Sequence, residues 1–308
     1  MGPRPDLPKP LRFGPVFDDP KAVLRCVRAG SPYRLQSVVD RTDAGDEYTP
    51  WFKAYWVVSA KALLPEAEPL FREPRLLEAA AECFGAEIIR PQVLMVNLQA
   101  PMLDSAVHLD MPHFRGAPAR THAPALLYAM GQSGLFERWA IRIASALIWF
   151  HRGTGGAFEC WPEGPERASW LEAPPLWNEG LLADNDRMLH RTQGLGPPKA
   201  RLPQDLLRDS AQLHAADESG WEIRDGDAQL GRYPAEQLRI SILWKAHALA
   251  DAEEARVLDS GSDDLDPQRI ETIFTQHARQ HGMPLPPTKD PRTDPDWIRA
   301  VAALPPMS

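Results

Sequence analysis

Residues 87–101, EIIRPQVLMVNLQAP, form a run dense in branched apolar side chains. Such residues fit a pleated, half-buried surface, and the run predicts a strand. IRIASALIWFH (141–151) and QLRISILWKA (237–246) repeat the pattern. GGAFECW (155–161), GLLADN (180–185) and RMLHRTQGL (187–195) predict shorter strands separated by turn residues. Helical spacing marks PRLLEAAAECFGAE (74–87), with Pro74 in a first-turn position and Gly85 at the end. It also marks 122–138, 203–219, 246–258 and 268–281. WEIRDGDAQLGRY predicts a hairpin turning at or near Asp225-Gly226. Residues 1–50 carry few periodic signals and read as an irregular arm. A Pro-rich tail closes the chain.

Many short strands, with helices gathered before and after them, predict a mainly β chain: a sandwich or barrel in a helical jacket. Alternating βαβ units are absent, and no G-x-G-x-x-G or G-x-x-x-x-G-K-[ST] run occurs. Both facts argue against a doubly wound nucleotide fold. The expected organisation is one structural domain. An arm and helices (1–86) precede a barrel core (87–246), which carries an insertion at 197–236. Helices and the Pro-rich tail (247–308) follow.

Charge narrows the partners. With 34 basic against 42 acidic side chains, the formal net charge is −8. Nucleic-acid binding, which depends on Lys and Arg neutralising phosphates, is therefore not expected. The 3 cysteines form no C-x-x-C pair, which excludes a thiolate zinc site of the usual spacing. The opening MGPRPDLPKPLRFGP has no apolar core for a signal peptide. No apolar run approaches the roughly 20 residues that span a bilayer. The expectation is a cytoplasmic protein without a membrane partner, with room for a homodimer interface in the terminal segments.

Chemistry concentrates in SAVHLDMPHFRG (105–116). Strand side chains alternate faces, so His108 and Asp110 share one and can grip one metal ion. The plain alternative is a surface histidine and a turn-initiating aspartate. ADNDRMLHRTQGLG offers His190 as a third ligand from another strand. Two histidines and one carboxylate leave three octahedral positions open, which suits ferrous iron that binds a co-substrate and dioxygen together. In LRISILWK, Arg239 and Ser241 share a face opposite Ile240, Ile242 and Trp244. An inward arginine is costly unless it meets an anion, and a guanidinium fork matches a carboxylate.

The order His-x-Asp, a Gly-Gly strand, a distal His after an acidic turn, then Arg-x-Ser in a strand reaching Trp resembles the iron(II)/2-oxoglutarate-dependent oxygenases. The resemblance spans roughly residues 87–246. It implies a double-stranded β-helix (jelly roll, cupin-like) with N- and C-terminal helical extensions. It implies that His108, Asp110 and His190 bind Fe(II), while Arg239 and Ser241 hold the distal carboxylate of 2-oxoglutarate. With O2 as co-substrate, the implied outcome is hydroxylation of a C–H bond of a small-molecule substrate, releasing succinate and CO2. Arg239 follows His190 by 49 residues, where many members of the family have about ten. Arg201 stands nearer that shorter interval but is flanked by prolines, so Arg239 is preferred.

Further candidates are weaker. Asn97 and Gln99 share a strand face and could hydrogen-bond the co-substrate or substrate. Arg115 could read an anionic substrate from its loop, and Trp149 could wall an apolar pocket. Two other readings share the barrel: a cupin-type metal enzyme that does not use 2-oxoglutarate, and a metal-free binding protein.

Overall fold

The computed structural model describes residues 7–36, 49–217 and 219–307. In the first half of the chain the strands are β1 (Leu11–Phe13), β2 (Tyr33–Leu35), β3 (Trp51–Val58), β4 (Lys61–Ala62), β5 (Ile88–Gln99), β6 (Ile143–His151) and β7 (Phe158–Trp161). They continue with β8 (Trp170–Glu172), β9 (Leu176–Ala183), β10 (Leu189–Thr192), β11 (Gln212–Ala215), β12 (Gly220–Asp225), β13 (Ala228–Pro234) and β14 (Arg239–Leu249). The helices are α1 (Pro20–Ala29), α2 (Glu68–Phe71), α3 (Pro74–Phe84), α4 (Pro124–Ser133), α5 (Ala252–Ser260), α6 (Pro267–Gln280) and α7 (Pro295–Ala302).

The larger sheet runs β1-β9-β6-β14-β5-β3-β2-β11-β12-β13, with β4 on β3, and every pairing is antiparallel. The smaller runs β10-β7-β8, extended by a bridge between His108 and His190. From β5 onward the chain passes repeatedly between the two sheets. It goes from β5 to the 105–110 segment, back to β6, over to β7 and β8, back to β9, over to β10 and finally to β14. This is the double-stranded β-helix expected of the sequence.

Alternation along β14 divides the barrel from its jacket. Ile240, Ile242, Trp244 and Ala246 join Leu94, Val96 and Leu98 of β5 in a core covered by Phe71, Leu76 and Ala80. Burying each such Leu, Ile or Val side chain contributes about 1.5–3 kcal/mol. A second core gathers α4, α6 and α7 around Phe136, Phe274 and Trp297.

Several elements differ from expectation. Residues 20–29 of the arm form helix α1, where no element was expected: Asp19 caps it by accepting from Ala22 N, Pro20 opens it, and Val23 and Val27 are buried one turn apart. Residues 1–6 and 37–48 of the arm lie outside the described residues. The aromatic strand β3, unanticipated, lies directly on β5. Where 203–219 predicts a helix, the chain makes a single 3-10 turn (Gln204–Leu206) and then β11. Its neighbours β12 and β2 supply ladder partners on both sides, and that pairing overrides a weak local spacing. The segment 197–236 thus lengthens the larger sheet, its hairpin turning with Gly226 at φ +57°. β14 runs on to Leu249, so the helix expected from 246 starts at Ala252 behind the cap Asp251. The Pro-rich tail contains α7, whose Trp297, Ile298 and Val301 are buried.

Candidate metal centre

His108 and His190 face each other across the mutual backbone pair His108 N–His190 O and His190 N–His108 O, both 3.0 Å. Asp110 N donates to Asn185 O at 2.9 Å, which brings its carboxyl to the same edge. Each histidine is oriented from behind. Nδ1 of His108 lies 2.9 Å from Ala106 O, and Nδ1 of His190 lies 3.0 Å from Met188 O. A carbonyl can only accept, so both Nδ1 atoms carry a proton, and the neutral tautomer of each ring leaves its lone pair on Nε2. His190 Nε2 stands 3.6 Å from Asp110 Oδ1, and one ligand atom from each of the three residues lies within 4.8 Å of the others. This is a two-histidine, one-carboxylate facial arrangement.

The electrostatics favour a cation. Burial presses the His190 imidazole down to about 4, partly countered by Asp110, so the ring is neutral near pH 7. Burial opposes ionisation of Asp110, but Lys245, His190 and His108 together hold its carboxyl below the usual range. Lys245 Nζ donates to Asp110 Oδ2 at 2.8 Å and to Asp186 Oδ1 at 3.0 Å. Asp186 Oδ2 in turn meets His113 Nδ1 at 2.8 Å. Burial disfavours the ammonium, yet the two carboxylates overcome that and raise Lys245 above its ordinary range.

A cavity of about 420 Å³ opens from these ligands along the barrel and is lined at its other end by Arg239 and Ser241. Cross-strand register sets Arg239 against Gln99. Its Nη1 donates to Gln99 Oε1 at 2.7 Å and its Nε to Gly156 O at 2.8 Å. Gly156 sits at φ +72°, and a Cβ there would come within 3.0 Å of Arg239 Cδ, so glycine permits the approach. Arg239 is 2 % exposed, and its Nη2 has no hydrogen-bond partner among the described residues. Burial alone pulls it down to about 9, with no carboxylate to offset the loss of water.

The chain resembles the iron(II)/2-oxoglutarate-dependent oxygenases in fold and in its grouping of two histidines and one carboxylate. No family model matches it, and no curated protein matches it in sequence. Among solved structures it is similar to an oxidoreductase of the 2OG-Fe(II) oxygenase family from Burkholderia pseudomallei. That match has 14 % identity and a TM-score of 0.44, covering 79 % of this chain and 87 % of the other. It is also similar to a prolyl-4-hydroxylase from Pseudomonas putida (10 % identity, TM-score 0.41, covering 78 % and 93 %). A third is the alpha-ketoglutarate-dependent carbocyclase SnoK from nogalamycin biosynthesis (11 % identity, TM-score 0.43, covering 84 % and 89 %).

The remaining candidates divide by position. Asn97 lines the cavity and accepts from Trp51 Nε1 at 2.9 Å. Gln99 is fully buried and serves Arg239. Trp149 is fully buried too, packed on Phe158 with the Arg239 guanidinium 5.9 Å from its ring, and does not reach the open cavity. Arg115 points elsewhere, donating to Arg138 O at 3.0 Å and facing Asp263. Arg201 is not part of the cavity lining. The residue missed by sequence reasoning is Lys245. Its signal was present, since it has the same strand parity as Arg239 and Ser241.

Proposed function

We propose that the chain is an iron(II)- and 2-oxoglutarate-dependent oxygenase that hydroxylates a C–H bond of a small molecule. One observation carries the reading. A facial triad and a buried guanidinium with an unpartnered Nη2 share a single cavity. His108, Asp110 and His190 fit a divalent iron, because both imidazoles are oriented by backbone carbonyls through Nδ1 and the carboxylate is ionised. Arg239, with Ser241 beside it, fits the distal carboxylate of a dicarboxylic co-substrate whose other end reaches the metal. When bound, iron(II) with 2-oxoglutarate and dioxygen supplies an oxidant strong enough for a C–H bond, and succinate and CO2 leave.

The protein's share is positioning and exclusion of water. Val93, Met95, Leu147 and Leu243 give the cavity apolar walls between its two polar ends. Trp51, Tyr55, Met111 and Tyr128 line it as well and offer apolar and aromatic contact to a substrate. A volume of about 420 Å³ lies in the small-molecule range. Among the described residues no helix is long and apolar enough to cross a membrane.

Anaerobic titration with iron(II) and then 2-oxoglutarate tests the proposal. A visible charge-transfer band that appears only when both are present, saturating at one equivalent each, is the expected result. Stoichiometric iron uptake with no response to 2-oxoglutarate would instead support a metal enzyme of the cupin type.

A further inference from the structure

We infer that Lys245 is a positioning residue that holds Asp110 as a one-oxygen ligand and so keeps the adjoining coordination position open. The inference rests on the metal reading of His108, Asp110 and His190. Its ground is the division of labour between the two carboxylate oxygens. Oδ1 faces His190 Nε2 at 3.6 Å, while Oδ2 is taken by the Lys245 ammonium at 2.8 Å. A charge-assisted hydrogen bond of that length is among the stronger ones available to a carboxylate. For Oδ2 to turn toward a metal, the carboxyl would have to leave the ammonium.

The ammonium cannot readily follow. Asp186 Oδ1 holds it from a second side at 3.0 Å, and His113 holds Asp186 at 2.8 Å. Its backbone is fixed as well. β14 pairs with β5 and β6 on its two sides; the ladder to β6 runs unbroken through Lys245–Ser145 and Ala246–Ala144, and the extra residue opposite it, Gln92, belongs to β5. Lys245 is 13 % exposed, and the charges around it are Asp110 and Asp186. The opposite face of the strand is closed by Trp244 and Ala246, so the ammonium is held by the two carboxylates on its own face.

The consequence is a count of open positions. Three single-atom ligands leave three positions of an octahedron, whereas a two-oxygen Asp110 leaves two. Chelation of a 2-oxo acid uses two, so only the one-oxygen arrangement keeps a place for dioxygen.

Manganese(II), a spin probe for oxygen-rich and mixed sites, reads that count without turnover. The full-length protein is loaded with manganese(II), and water-proton relaxation is measured for wild type, Lys245→Met and the double variant Lys245→Met/Asp186→Asn. The double variant removes the carboxylate that the single change strands, so it decides the matter if the single variant does not fold. The expected result is a relaxation enhancement lower by about a third in the variants, one coordinated water having been displaced. Asp186→Asn alone, which leaves the lysine on Asp110, should match wild type. Equal relaxation in wild type and the lysine variants, with manganese bound at one equivalent in each, overturns the inference and leaves the metal reading intact. Absence of stoichiometric manganese uptake by wild type overturns the metal reading and the inference together.

Discussion

Lys245 and Arg239 are two cations on the same face of one strand, six residues apart, and they are neutralised in opposite ways. Lys245 touches two carboxylates of its own chain. Arg239, more deeply buried, touches a carbonyl and an amide oxygen and, among the described residues, no carboxylate. Burial acts against both charges, and the outcome differs only because of the partners. The lysine is raised above its ordinary range, while the arginine is lowered to about 9. An uncompensated buried charge costs several kcal/mol. The lysine end is therefore complete within the protein, ready for a metal cation on the far oxygen of Asp110. The arginine end is completed only by an anion from outside. One cavity thus has two ends that call for ligands of opposite sign.

The largest effect should come from breaking the metal end. His190→Ala removes the imidazole proposed as the third ligand, whose tautomer the Met188 carbonyl fixes. Loss of an outer-shell partner alone typically weakens a metal site by 10–100-fold. Removing the ligand itself should exceed roughly 100-fold, measured by anaerobic calorimetry with iron(II). Wild-type affinity in His190→Ala would mean that the third ligand is another residue.

Breaking the arginine end should leave that affinity unchanged and act only on the anion. Hydrogen bonds to charged groups contribute about 1.5–3 kcal/mol. Arg239→Gln should then raise the dissociation constant for 2-oxoglutarate on the iron-loaded protein by roughly 10- to 150-fold. Arg201→Gln, outside the cavity, should not. If the two variants exchange these outcomes, the anion is held elsewhere and the contrast between the two cations loses its meaning.

How far the sequence reveals this contrast depends on the range of the forces involved. Strand parity is local: it puts His108 with Asp110, and Arg239 with Ser241, without knowledge of the rest of the fold. By the same parity Lys245 belongs with Arg239, but its meaning depends on Asp110 and Asp186, which arrive from the other sheet. Gln99 illustrates the same point, since only the register of β5 against β14 turns it from a ligand candidate into the partner of Arg239. The long central strands and helix α3 are legible because their apolar spacing is strong. The segment 203–219 is misread because β11 gains its stability from β2 and β12, distant in sequence. The signals for α1 and α7, Asp19-Pro20 and Asp294-Pro295, are ordinary N-cap and first-turn pairs set in proline-rich surroundings that suggest loops.

The smallest effect sharpens the lysine end, where carboxylates crowd. Burial, reinforced by Asp186, pushes the Asp184 carboxyl up to about 7, and its Oδ1 has no hydrogen-bond partner among the described residues. Its pKa in the fold is thus above the value near 3.9 of an unfolded chain. Between those two values the native state binds more protons than the unfolded state, so this group's contribution is fully present below about pH 4 and is lost as pH rises through 7. Asp184→Asn, which keeps the shape and discards the charge, should stabilise the protein at pH 8, with the gain shrinking toward pH 4. The amide inherits the unpartnered position of Oδ1, which offsets part of the benefit and leaves on the order of 1 kcal/mol, or about 2–4 °C in Tm. His190 and His247, both pressed down to about 4 by burial, favour the fold in the reverse direction over the acid range. They are common to the two proteins and cancel in the difference. Thermal unfolding of wild type and variant from pH 4 to pH 8 makes the measurement. A pH-independent difference, or a less stable variant at pH 8, would mean that burial beside Asp186 does not hold the Asp184 carboxyl up.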